Sequence, residues 1–196
     1  GRYALAGFGT QNAALAAGGE PSTSALTEEY NGTSWSTANT MNNGRDGVVG
    51  AGLQDAGVVY GGSEPSLSNK TELYDGTSWS SSENMITSRL QTAKGFGASN
   101  EAAVAAGGST GSETSLTCTS NFNREEICTG TYKCNLPGVG AWSTGGTLIN
   151  AMYYNSGAGN QDDAASIGGY NGSYRACHEQ YNGTAWSAET ASPYTT

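Results

Sequence analysis

Apolar residues in this chain fall in short runs separated by glycine-rich and polar turns, and residues 44–88 show the pattern most clearly. Arg45 to Gly52 reads as a first short strand, with Gln54-Asp55 as its turn. Ala56 to Tyr60 reads as a second strand, ended by Gly61-Gly62. A polar loop follows, and Lys70-Thr71-Glu72-Leu73-Tyr74 then alternates polar and apolar residues, the period of a half-buried strand. Asp75-Gly76 is a two-residue hairpin signal, and Ser78 to Ser81 supplies the fourth strand. The pattern predicts four antiparallel strands in about 44 residues.

The same unit recurs. Tyr74-Asp75-Gly76-Thr77-Ser78-Trp79 returns as Tyr30-Asn31-Gly32-Thr33-Ser34-Trp35 and as Tyr181-Asn182-Gly183-Thr184-Ala185-Trp186, with a worn copy ending in Gly140-Ala141-Trp142. All four tryptophans lie in this motif, and each follows a diglycine: Gly18-Gly19, Gly61-Gly62, Gly107-Gly108 and Gly168-Gly169. Four units are expected, about 1–43, 44–88, 89–151 and 152–196. In the first, Tyr3–Gly9, Ala13–Ala17, Glu28–Tyr30 and Ser34–Ser36 are the predicted strands; in the fourth, Tyr153–Gly159, Ala164–Ile167, His178–Tyr181 and Ala185–Ser187. In the third, the first hairpin is expected over Leu90–Gly97 and Glu101–Ala106, and the third strand near Ser115 to Thr119, without its tyrosine. Diglycine and tryptophan are 17 residues apart from Gly62 to Trp79 but 34 apart from Gly108 to Trp142, which places an insertion at about 119–138. Arg45 and Arg89 each fall ten residues after a tryptophan; the same offset from Trp186 reaches Thr196, so the number of units is integral. The expected architecture is all-β, either a closed four-unit ring or part of a longer array.

Arginine, a glycine-and-apolar hairpin, Gly-Gly, a strand ending in Tyr, a turn and then Trp: this order resembles the kelch repeat over the whole chain except the insertion. Stretches such as "AGFGTQNAALAAGG" and "EEYNGTSW" resemble kelch-like arrays in structural and tail-associated proteins of aquatic tailed phages. The resemblance implies one β-propeller blade per unit around a central axis. Small Ala and Gly residues on the inner strands suit the crowding there. Each Trp and Tyr suits packing between neighbouring sheets, where an aromatic buries roughly 150–250 Å².

Charge removes several function classes. A net charge of −9 argues against a nucleic-acid partner and against an anionic membrane surface, and no apolar run approaches the roughly 20 residues of a spanning helix. Low lysine content, abundant Ser and Thr, and clustered cysteines suggest an extracellular or virion-surface location. Cys118, Cys128, Cys134 and Cys177 are disulfide candidates. Cys128–Cys134 brackets a short loop, with Cys118–Cys177 left to pair; the rival connectivity is Cys118–Cys128 with Cys134–Cys177.

Chemistry is sparse. His178 is the single histidine, shares the phase of Thr71 on a third strand, and is no metal-ligand set by itself. Glu28, Glu72 and Glu179 each precede a tryptophan by seven residues, a repetition that fits a structural hydrogen bond better than acid–base catalysis. Asn31, Asn69, Asn171 and Asn182 match the N-glycosylation pattern, although Asn-Gly is also a preferred hairpin turn. No catalytic residue, cofactor or metal is expected. The expected function is a non-enzymatic structural or adhesive module of an extracellular assembly or virion appendage. Its partners would be copies of itself or other filament or virion subunits, reached through blade loops and through Phe122, Arg124 and Tyr132 of the insertion. The alternative is a lectin-like propeller that stacks Tyr132, Tyr153, Tyr154 and Tyr170 on surface glycans.

Overall fold

Four antiparallel sheets follow one another along the chain, each a meander whose strands pair in chain order. The computed structural model describes residues 1–90, 95–110, 115–124 and 140–190, and among these all helix-length regular structure is strand. Blade 1 contains β1 (Ala6–Thr10), β2 (Ala13–Ala17), β3 (Thr27–Tyr30) and β4 (Trp35–Ala38). Blade 2 contains β5 (Val49–Leu53), β6 (Ala56–Tyr60), β7 (Thr71–Tyr74) and β8 (Trp79–Ser82). Blade 3 contains β9 (Phe96–Ser99), β10 (Ala102–Ala106), β11 (Thr119–Arg124) and β12 (Gly140–Thr144). Blade 4 contains β13 (Ser156–Gly159), β14 (Ala164–Tyr170), β15 (Tyr174–Tyr181) and β16 (Trp186–Glu189). The expected all-β, four-blade, propeller-like arrangement is present. The first strands begin later than the hydrophobic pattern suggests, because the segments before them, such as Tyr3 and Asp46, form single bridges to the residue after each diglycine.

The local chemistry explains the repetition. In the outer hairpins the side-chain oxygen at the turn's first position accepts the next two free amides. Asn31 Oδ1 takes Thr33 and Ser34, Asp75 Oδ1 takes Thr77 and Ser78, and Asn182 Oδ1 takes Thr184 and Ala185, all at 2.7–3.0 Å. The diglycines are required by backbone shape. Gly61 and Gly62 have φ of 66° and 92°, and a Cβ on either would lie 2.5 Å from a neighbouring carbonyl oxygen. That closeness lets the Gly62 amide donate to Arg89 O in the linker to the next blade.

Three apolar clusters form the core, one at each junction between successive blades. The first strands β1, β5, β9 and β13 lie side by side around an axis, and among the described residues the packing of β1 on β5 and of β5 on β9 has no equal between β13 and β1. Ala4 to Gly7, Gly47 to Gly50, Gly95 and Tyr154 line an axial cavity of about 360 Å³.

Blade 3 departs from the expectation. Its third strand is β11, and Phe122 stands opposite Trp142 as Tyr74 stands opposite Trp79. Two of the surplus residues precede the strand and the rest lie in the hairpin between β11 and β12, so Thr119–Arg124 belongs to the blade and not to an insertion. Phe substituted for Tyr hid the motif, and the strand was displaced in register by the longer approach from Gly108.

An arginine stitches each of the first three blades. Arg45 Nη1 donates to Gly61 O (2.7 Å) and Lys70 O (2.9 Å), and Nη2 pairs with Glu72 Oε1 at 2.9 Å, both side chains being buried. Arg2 repeats this with Gly18 O, Leu26 O and Glu28. Arg89 takes Gly107 O and Cys118 O, but its Nη2 meets the Ser120 hydroxyl in place of a carboxylate. In blade 4 the arginine is absent: Met152 occupies its position, and the buried Glu179 accepts instead from the amides of Ile149 and Asn150 and from the Asn150 side chain. The repeated glutamates are thus structural acceptors. Because a lone buried guanidinium is costly, Glu72→Gln is expected to lower stability by about 3 kcal/mol. The double variant Arg45→Met with Glu72→Gln, which copies the residue blade 4 places there, should lose less than the two single losses combined. Urea melts of the three variants give both numbers.

Candidate functional site

The surfaces that distinguish this chain chemically are the junction faces of its blades. One face of each sheet presents the first residue of the third strand and the residue two further on. The opposite face presents the aromatic pair formed where the third strand meets the fourth. At the junction of blades 1 and 2, Trp79 Nε1 donates to Thr27 Oγ1 (3.0 Å) and Tyr74 OH to Glu29 Oε1 (2.7 Å). Gln54, from the β5–β6 turn, donates to Ala14 O and Tyr30 O, each at 2.9 Å. At the next junction Trp142 Nε1 donates to Thr71 Oγ1 (2.9 Å), and Phe122, which has no hydroxyl, shares an apolar cluster with Leu73 in the position of Glu29. At the third, Trp186 Nε1 donates to Thr119 Oγ1 (2.9 Å), Asn121 donates to Tyr181 OH (3.1 Å), and Gln161 donates to Phe122 O (3.2 Å). One recognition device is thus used three times, with the facing residue matched to the presence or absence of the tyrosine hydroxyl.

Both terminal blades leave half of this device uncovered. On blade 1, Tyr30 and Trp35 stack at a centroid distance of 5.2 Å, and Trp35 is 51 % exposed where its counterparts Trp79 and Trp186 are 8 % exposed. Leu5, Gly7, Ala14 and Ala16 continue this face as an apolar groove of about 600 Å³ beside Trp35. On blade 4 the corresponding outward positions are Ile167, His178 and Gln180; Ile167 is 42 % exposed and Gln180 is exposed, while His178 is half-buried and its Nε2, shielded from solvent, has no hydrogen-bond partner among the described residues.

Blade 4 also differs between its second and third strands. The pairing of β14 with β15 continues beyond the diglycine to Tyr170 and Tyr174, across a bulge, where the other blades have open loops. The hairpin carries a run of edge-to-face and tilted tyrosines, Tyr154–Tyr153–Tyr170–Tyr174, with successive centroids 4.8, 5.5 and 5.3 Å apart. Tyr154 and Tyr174, the ends of the run, are 63 % and 80 % exposed. Asn171-Gly172 is its turn, the reading that the sequence offered beside glycosylation.

The remaining candidates are placed as follows. Phe122 is fully buried between Trp142 and the blade 2 core, so it is no exposed partner contact; it lies in a strand and not in a projecting loop. The side chain of Arg124, and Tyr132, Cys128 and Cys134, lie outside the described residues. Cys118 and Cys177 are both free, so the bridge expected between them is not formed. Cys118 lies just before β11 and Cys177 within β15, on different blades, and each sulfur has another neighbour: Cys118 Sγ lies 3.2 Å from Arg89 Nη1, and Cys177 Sγ lies 3.1 Å from Met152 Sδ. Burial pushes the Cys177 thiol up from its ordinary value. Of the glycosylation patterns, Asn31 and Asn182 shape exposed turns, Asn171 accepts from Arg175 Nε, and Asn69 Nδ2 is committed to Met85 O. Among the described residues no three His, Cys, Asp or Glu side chains converge.

One carboxyl group is perturbed. Partial burial, together with a hydrogen bond to Glu20 and its charge, pushes the Asp46 carboxyl up to about 6.

No protein-family model matches the sequence, and no curated protein is significantly similar to it.

Two predictions follow from this geometry. Thr71→Val keeps the side-chain shape but removes the acceptor of the Trp142 indole, and should cost about 1–3 kcal/mol in urea unfolding. Asp46 has a folded-state value above its unfolded one, so it favours folding at low pH and loses that contribution as pH rises from about 4 to about 6. Asp46→Asn should therefore melt progressively higher than the parent across that range, with the two curves converging below pH 4.

Proposed function

We propose that this chain is a non-enzymatic structural module of an extracellular assembly, such as a virion appendage or filament, built from kelch-like blades of the kind found in tail-associated phage proteins. The observation that carries this reading is the exposure of two junction faces. Trp35 and its groove on blade 1, and Ile167 with its neighbours on blade 4, present to solvent the surface types that every internal junction buries. Apolar faces of this kind, matching those that the internal junctions bury, suit a part that packs against neighbours. The glutamates that could otherwise suggest acid–base chemistry are occupied by arginine or by backbone amides.

The exposed tyrosine run favours a second reading, a lectin-like module in which Tyr154 and Tyr174 stack on sugar rings. One localisation experiment with one binding arm separates the two. Gold-labelled antibody raised against the chain should decorate particles or filaments from the source, and absence of label from both would overturn the structural reading. Binding on a glycan array that is lost in Tyr174→Ala would establish the lectin in its place.

A further inference from the structure

The geometry points to a head-to-tail junction between two copies of this chain, in which the outward face of blade 4 of one copy receives the outward face of blade 1 of the next. It rests on the structural reading above and specifies its surface and partner. The internal junctions define what such a contact needs. The blade that follows contributes a turn amide, an aromatic at the end of the third strand and an indole N–H. The blade that precedes contributes an acceptor at the start of its third strand, a residue suited to the aromatic two positions later, and backbone carbonyls.

Blade 1 holds the complete first set, with none of its side-chain polar atoms hydrogen-bonded among the described residues. Gln11 occupies the turn position of Gln54, Tyr30 that of Tyr74, and Trp35 that of Trp79. Blade 4 holds the second set. His178 stands in the place of Thr27, Thr71 and Thr119; its Nε2 is shielded from solvent, which leaves Nδ1 as the ring nitrogen to accept an indole N–H as a hydroxyl does. Gln180 stands in the place of Glu29 and Asn121, the two residues that meet a tyrosine hydroxyl, and not in the place of an apolar residue like Leu73, which meets Phe122. Blade 1 supplies Tyr30, so the chemistry of the two ends agrees. Ile167 stands where Tyr60 stands, and Tyr60 packs edge-on to Trp142 at 5.0 Å; Ile167 would pack on Trp35 in the same way.

A second copy is the occupant that these observations select. The two faces are unlike each other and complementary, so the contact is heterologous, and each copy offers one face of each type. Among the described residues β13 and β1 of one chain lack the packing that joins β1 to β5. Two copies joined at both ends would make eight blades, within the roughly four to eight of known propellers.

Sedimentation velocity on the full 196-residue chain from about 1 to 100 μM tests this, with Trp35→Asp and Ile167→Asp, both at exposed positions. The parent is expected to associate, and each variant alone is expected to sediment as a monomer with an unchanged circular dichroism spectrum. An equimolar mixture of the variants should recover association, because one native blade 1 face and one native blade 4 face then remain to meet. Trp35→Phe, which keeps the ring and loses the N–H, should weaken association about tenfold, or about 1.4 kcal/mol. A monomeric parent, a variant that associates as the parent does, or a mixture that stays monomeric would each overturn the junction. These outcomes are independent of where antibody labels the source, so failure of the junction and failure of the structural reading can be told apart.

Discussion

An indole N–H donating across the gap between sheets to a threonine hydroxyl ties each blade to the one before it. Burying that donor without a partner would cost roughly 1–3 kcal/mol, so the bond constrains both sheets at once. In blades 1, 2 and 4 the tryptophan opens the fourth strand directly after its turn, which the Asn or Asp oxygen of the hairpin enforces. The threonine must open the third strand on the opposite face of the neighbouring sheet. Since side chains alternate along a strand, a slip of one residue in either partner would turn the threonine away and expose the apolar face beneath it. Strand register, turn chemistry and core packing are in this way a single requirement.

The buried arginines show how the remaining polar groups are satisfied. In three blades the guanidinium bridges the carbonyl of a diglycine residue and the carbonyl just before the third strand, whether or not a carboxylate is near. The constant feature is the pair of carbonyls where the second and third strands part. In blade 4 those strands stay paired to Tyr170 and Tyr174, and methionine stands in place of arginine. The ion pair of blade 2 is thus one solution to a backbone need that the chain also meets without opposite charges.

Much of this was legible in residue spacing. Tryptophan, diglycine and Asn-Gly at fixed offsets define four meanders because each has a local cause: a φ only glycine takes readily, or a side chain that closes its own turn. What escaped the sequence depends on partners distant along the chain. Phe122 looked like part of an insertion because Phe for Tyr is harmless only opposite Leu73, a residue of another blade. Glu72 and Arg45 showed a phase but no pairing. Trp35 has the same sequence surroundings as Trp79, and only the arrangement of sheets reveals that one is covered and the other open. Tyr153, Tyr154 and Tyr170 could be grouped from the sequence as aromatics outside the repeat, but Tyr174, the most exposed of the run, joins them only when β14 and β15 pair.

The hairpin of blade 3 has a consequence for how this architecture accommodates change. β11 and β12 keep the pairing Phe122 to Trp142 although residues 125–139 stand where other blades have a tight turn. Loop-closure entropy rises only with the logarithm of length, so going from about four residues to about fifteen adds roughly 1 kcal/mol. That burden falls on one outer turn, while the junction faces on either side of the sheet are untouched. The outer turns at Asn31-Gly32, Asp75-Gly76 and Asn182-Gly183 are equivalent places in the fold. Together they form a ring of sites on the rim where foreign segments could be grafted, or new ones acquired in evolution, without asking the core to repack.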